Sequence, residues 1–128
     1  MSNKSKGNEF EQFFGSLLAH NGFWAHVLKD NKNGQPFDIF ATKDNIPYAF
    51  DCKECESDRF QLSRMESNQI NAMNRWIETG NSNAYFAIKF CAAQHIYVVP
   101  FQELNTRRLA GISSISEDVI KRISEVWF

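Results

Sequence analysis

Asp38, Asp51 and Lys53 stand in two short apolar runs, Pro36-Phe37-Asp38-Ile39-Phe40-Ala41 and Tyr48-Ala49-Phe50-Asp51-Cys52-Lys53. Aromatic and β-branched residues are frequent in both, and each run has the length of one strand. An unpaired charge buried in a strand is costly. Three charges in two neighbouring strands therefore mark a place where charge is put to use. Side chains alternate across a strand, so Asp51 and Lys53 share a face with the small Ala49, while Tyr48, Phe50 and Cys52 face the core. In the first run Phe37, Ile39 and Ala41 share one face and Asp38 takes the other. Lys43-Asp44-Asn45-Ile46 is a short segment of turn residues, which makes the pair an antiparallel hairpin and sets Asp38 beside Asp51. Two carboxylates held together repel unless a cation lies between them. Hard oxygen ligands of this kind suit Mg²⁺, with Mn²⁺ as a substitute. Lys53, two residues along the same face, can position or activate a water.

The elements that must carry these residues follow from periodicity. Phe10, Phe13, Phe14, Leu17 and Leu18 recur at helical spacing, so a helix is expected over residues 8–20, closed by Asn21-Gly22. Residues 23–29 read as a first strand and 30–34 as a turn. After the two site strands, 56–59 is a polar connection and 62–79 a second helix ending at Gly80. Residues 84–90 and 95–99 read as strands, 101–109 as a short helix, and 116–126 as a last helix capped by Ser116. Residues 1–6 are expected to be a loose tail. The order α-β-β-β-α-β describes a three-strand meander and a helical crossover to a parallel strand. That is an α/β fold with a mixed sheet flanked by helices.

The chain has 128 residues, 43% of them hydrophobic and 12 of them Phe, enough for one domain over 1–128 with a real core. No apolar run approaches membrane-spanning length, and the polar N-terminus lacks the apolar stretch of a signal peptide, which points to the cytoplasm. The net charge of −1 argues against a purely basic nucleic-acid-binding module. It leaves room for an enzyme whose acidic ligands offset basic phosphate contacts. In the second helix Leu62, Met65, Gln69, Met73 and Trp76 fall on one face. A glutamine buried in that stripe must find partners, and the acidic face of the sheet would supply them. Cys52, Cys55, Cys91 and His95 have a spacing that could be read as a structural zinc site. Against zinc, Cys52 faces the core, Cys91 ends an apolar run, and free cysteine is a common small core residue.

This order of elements, with Asp38 on the second strand and Asp51-Cys52-Lys53 on the third, resembles the PD-(D/E)XK nuclease superfamily and its restriction-endonuclease-like core. Two further segments resemble its Holliday-junction resolvases of the RecU and archaeal type. Gly7-Asn8-Glu9-Phe10-Glu11 is similar to the Gly-xxx-Glu at the start of their first helix. Phe60-Gln61-Leu62-Ser63-Arg64-Met65, followed by Asn68-Gln69, is similar to the aromatic-rich entry to a helix with a site glutamine. The resemblance implies a Mg²⁺-dependent endonuclease that makes paired nicks in four-way DNA junctions. Glu11, Asp38, Asp51 and the main-chain carbonyl of Cys52 would hold the metal, Lys53 would act on the water and phosphate, and Gln69 would hold Lys53 or the water. It also implies a homodimer, whose interface could draw on Trp76, Trp127 and Phe128. Lys29, Lys32, Arg59 and Arg64 flank the site and are candidates for DNA phosphate contacts. The chain departs from RecU-type enzymes in lacking a long insertion in the site hairpin, and in having Asn68 where a histidine is usual. A repair, restriction-like or phage nuclease acting on duplex or single-stranded DNA is the alternative within the fold. A non-catalytic or zinc-stabilised binding module is the alternative outside it.

Overall fold

A computed structural model describes residues 3–29 and 35–127, with side chains from residue 9 onward. In chain order the elements are α1 (Asn3–His20), β1 (Trp24–Val27), β2 (Ile39–Lys43), β3 (Ile46–Cys55) and β4 (Arg59–Gln61). A 3-10 turn (Leu62–Arg64) then leads into α2 (Ser67–Glu78), β5 (Ala84–Phe90), β6 (His95–Pro100), α3 (Phe101–Leu109), β7 (Ser114–Ser116) and α4 (Glu117–Ile123). The main sheet has the order β1-β2-β3-β5-β6. β1, β2 and β3 form the antiparallel meander, and α2 carries the chain to β5, which lies parallel to β3. β6 returns antiparallel to β5. The mixed α/β sheet read from the sequence is the fold.

The site hairpin is closed by Asp44 and Asn45, whose φ angles of 52° and 67° are both left-handed. Those two residue types tolerate that region, and this turn matches the twist of the flanking strands. Apolar layers cover both faces of the sheet. Phe14 and Leu18 of α1 pack with Ile39 and Phe50 on one side, and Met73 of α2 packs with Phe86, Ile88 and Phe101 on the other. β3 is therefore buried on both faces, which is why its apolar residues run on instead of alternating. Phe37 does not share a face with Ile39 and Ala41 as strand alternation requires. Regular β2 begins only at Ile39, and Phe37 turns to meet Trp76 of α2 edge-to-face, with ring centroids 5.8 Å apart.

Other boundaries moved for identifiable reasons. α1 begins at Asn3, so the expected tail is helical from that residue. α2 begins at Ser67 rather than Leu62, because Arg59–Gln61 pairs with Ser114–Ser116 in a second, two-stranded sheet and the 3-10 turn follows it. Three-residue strands are too short to leave a periodic signal. Ser116 caps α4 as expected, accepting the Val119 N–H at 3.3 Å. Trp76 and Trp127 are engaged within the chain: Trp76 against Phe37 and Phe40, Trp127 against Phe23, Tyr48, Phe50 and Tyr85. Phe128 and Lys32 lie outside the described residues.

α1 reaches the sheet through Gly15. A Cβ there would stand 2.9 Å from Val27 Cγ2, closer than packed carbons allow. Glu11, one turn earlier, is carried on the same helix face. Gly15→Val is expected to force α1 away from β1 at a cost of about 1–3 kcal/mol. Thermal unfolding would show it as a fall of roughly 3–15 °C; an unchanged midpoint would mean that the approach is not tight.

Candidate active site at the end of the hairpin

The backbone ladder continues past the regular end of β2. Asp38 N–H donates to the Phe50 carbonyl at 3.0 Å, and Leu28 N–H donates to the Asp38 carbonyl at 2.8 Å. Ile39 already stands opposite Phe50, so the register slips by one residue at Asp38, whose main chain lies between Leu28 and Phe50. Beyond this point β2 supplies no partner for β3. The Asp38 side chain substitutes for the missing strand, its Oδ2 accepting the Cys52 N–H at 2.7 Å. The N–H and C=O of one strand residue point the same way, so the Cys52 carbonyl faces this opening too. The motif residues gather here because the ladder ends here, and a carboxylate satisfies the backbone that it leaves behind.

Asp51 has no exposed surface. Its Oδ1 accepts from Gln69 Nε2 at 3.1 Å, and its Oδ2 lies 3.3 Å from Lys53 Nζ. That ion pair lacks hydrogen-bond geometry, so Oδ2 is a buried oxygen without a hydrogen bond. Burial holds the Asp51 carboxyl well above the usual carboxylate range, and the adjacent Asp38 pushes it further up, against a smaller opposing pull from Lys53. Asp38 is buried as well, and Gln35 Nε2 donates to its Oδ1 at 3.0 Å.

Gln69 holds two structures together. Its Oε1 accepts the Glu66 N–H at 3.1 Å, closing a capping box at the first turn of α2, while its amide nitrogen reaches Asp51. Glu66 and Gln35 were not singled out from the sequence, and Asn68 stood out only as a departure from the family's usual histidine. Asn68 Nδ2 donates to the Gln35 carbonyl at 3.0 Å and so ties the entry to β2 against α2. The spacing Glu66-x-x-Gln69 is a weak capping signal, since glutamate is uncommon as a cap; Gln35 carries no signal at all. Glu11 is half-buried on α1. Burial pushes the Cys52 thiol well up, with further upward pushes from Asp38, Asp51 and Glu11.

Among the basic candidates, Lys29 is exposed just past β1. Arg59 bonds Ser114 through Nε to its Oγ at 2.8 Å and through Nη2 to its carbonyl at 3.2 Å, and so staples β4 to β7. Arg64 donates to the Glu54 carbonyl, beside the exit of β3. Both guanidinium groups are exposed beyond these bonds.

Among the described residues no three His, Cys, Asp or Glu side chains form a ready-made metal centre. Both Asp38 oxygens and Asp51 Oδ1 accept protein hydrogen bonds, which leaves Asp51 Oδ2. An orphaned, buried carboxylate oxygen beside a second carboxylate fits a hard divalent cation, provided that the Gln35 contact yields. Zinc on Cys52, Cys55, Cys91 and His95 does not fit. Cys52 packs on the α1 side of the sheet and Cys55 on the α2 side, and His95 Nδ1 pairs with Glu117 at 2.8 Å.

Two outcomes follow. Because Asp51 binds its proton more tightly folded than unfolded, its contribution to stability is complete below its ordinary pKa of 3.8 and is lost as pH rises through the folded value. Without divalent cations, Asp51→Asn is expected to melt higher than the native protein at pH 8, the gap closing toward pH 4; a gap independent of pH would refute the assignment. Gln69→Leu removes both the cap and the Asp51 contact. Denaturant unfolding should register a loss of about 1–3 kcal/mol.

The model of the family RecU, described as Recombination protein U, matches residues 33–125, well over half of the chain. No curated protein matches it. Among solved structures, Hjc of Archaeoglobus fulgidus, a Holliday junction resolvase from an archaeal hyperthermophile, superposes with a TM-score of 0.69 at 23% identity. The match covers 92% of this chain and 93% of Hjc, so the two share a fold. With its model matching from residue 33 to residue 125, the chain belongs to the RecU family.

Proposed function

We propose that this protein is a metal-dependent endonuclease that resolves four-way DNA junctions by paired, symmetric nicks. The observation that carries the reading is the row of Asp38, Asp51 and Lys53 at the end of the hairpin, held from above by Gln69, in a chain of the RecU family. Mg²⁺, or Mn²⁺ in its place, held by Asp38, Asp51, Glu11 and the Cys52 carbonyl would lower the pKa of a water and offset charge on the phosphate.

The side chains do the rest. Lys53, one-eighth exposed, keeps its ammonium within 3.3 Å of Asp51, where it can orient a water and offset charge on the non-bridging phosphate oxygens. Gln69 fixes the Asp51 carboxylate in one rotamer, so the acid is aligned before DNA arrives. Lys29, Lys32, Arg59 and Arg64 are proposed as phosphate contacts, the two arginines through the donors left beyond their structural bonds. Two nicks on opposed strands require two sites, hence a homodimer.

Asp51→Ala is expected to abolish cleavage of a labelled four-way junction in Mg²⁺ while retaining affinity for the junction in EDTA. Matched duplex and single strands serve as comparison. Asp51→Ala protein that still cuts would overturn the site assignment. The two-residue hairpin turn, where RecU-type enzymes carry a long insertion, favours one second reading. Equal cutting of junction and linear DNA would establish that the enzyme is a nuclease without junction selectivity.

A further inference from the structure

The outer face of β1 has a feature that the catalytic reading does not use. Trp24 is 60% exposed, the most exposed of the described tryptophans. Its ring lies nearly parallel to that of the exposed His26, at 10° with centroids 6.1 Å apart, and meets Phe40 edge-on at 6.3 Å. Phe40 in turn packs against Trp76 of α2. The register sets Trp24 opposite Thr42 and His26 opposite Phe40. Phe40 lies opposite Ala49, and Ala49 shares its face of β3 with Asp51. The two exposed rings therefore lie on the face of the sheet that carries Asp51. His26 is about 7 Å along the strand direction from Leu28, whose N–H meets the Asp38 carbonyl, and Trp24 about 13 Å.

A lone exposed tryptophan carries little information. This one is braced from beneath by Phe40 and lies on the same face as the buried Asp51. A nucleic-acid strand crossing that face would meet the carboxylates and then two flat rings. We propose that Trp24, with His26 behind it, is a stacking platform for an unpaired base of the DNA strand entering the active site. This rests on the nuclease reading for the identity of the strand. Base–aromatic stacking tolerates any sequence, since every base offers a π face, so the platform would recognise an opened branch point rather than a sequence.

The test is binding of a four-way junction with 2-aminopurine at the branch point, in EDTA, so that it does not depend on cleavage. Native protein should quench the 2-aminopurine emission. Trp24→Ala should lose the quenching and bind about 10-fold more weakly, whereas Trp24→Phe should keep most of both. The exposure of Trp24 makes its removal compatible with folding, which the melting temperature checks. Unchanged affinity and quenching in Trp24→Ala would overturn the platform. So would dissociation of a dimer by Trp24→Ala in sedimentation, because the rings would then face a second copy of the chain. Native protein that binds and quenches but never cuts in Mg²⁺ would remove the catalytic reading and leave the platform standing.

Discussion

The structure is organised around one unfavourable burial. Asp51 lies on the central strand with no exposed surface, beside a second buried carboxylate. A charge in that position is tolerable only if its surroundings are fixed. Gln69 reaches down from α2, Lys53 lies alongside on the same strand, and Asp38 is locked by the Cys52 N–H. Each contact brings another element to a set place: α2 over β3, the end of β2 against the middle of β3, the entry loop against α2 through Gln35 and Asn68. The geometry of the proposed site and the geometry needed to bury the acid are the same geometry.

The apolar layers on both faces make this arrangement rigid. α1 closes one side by way of Gly15, and α2, α3 and α4 close the other. Asp51 therefore has no way to relax toward water, and its raised pKa reflects that confinement. The opening is confined to the place where β2 gives out and β3 continues.

Much of this was legible in the chain, because the strongest signals were violations. Asp38, Asp51 and Lys53 interrupt apolar runs, and a glutamine sits in an apolar helical stripe; such conflicts between local pattern and residue type concentrate at functional sites. The meander and crossover followed from run lengths and turn residues. What was hidden had no periodic signature. The β4–β7 pairing joins three-residue strands more than fifty residues apart, and Gln35 acts through a position, not a pattern. The exposure of Trp24 was equally hidden. A tryptophan on an edge strand of an aromatic-rich chain reads as core until the register shows which face it takes.

The parallel pairing of β3 with β5 has a consequence in time. Asp51 lies opposite Phe86 and is bridged by Gln69, so its final environment needs segments that leave the ribosome well after it does. Pairings of such sequence separation form late, because the closure entropy of the intervening chain must be overcome first. A nascent chain that has reached only the hairpin holds both aspartates but neither the strand nor the helix that fixes them. The fold thereby delays the assembly of the proposed site until α2 and β5 have been made.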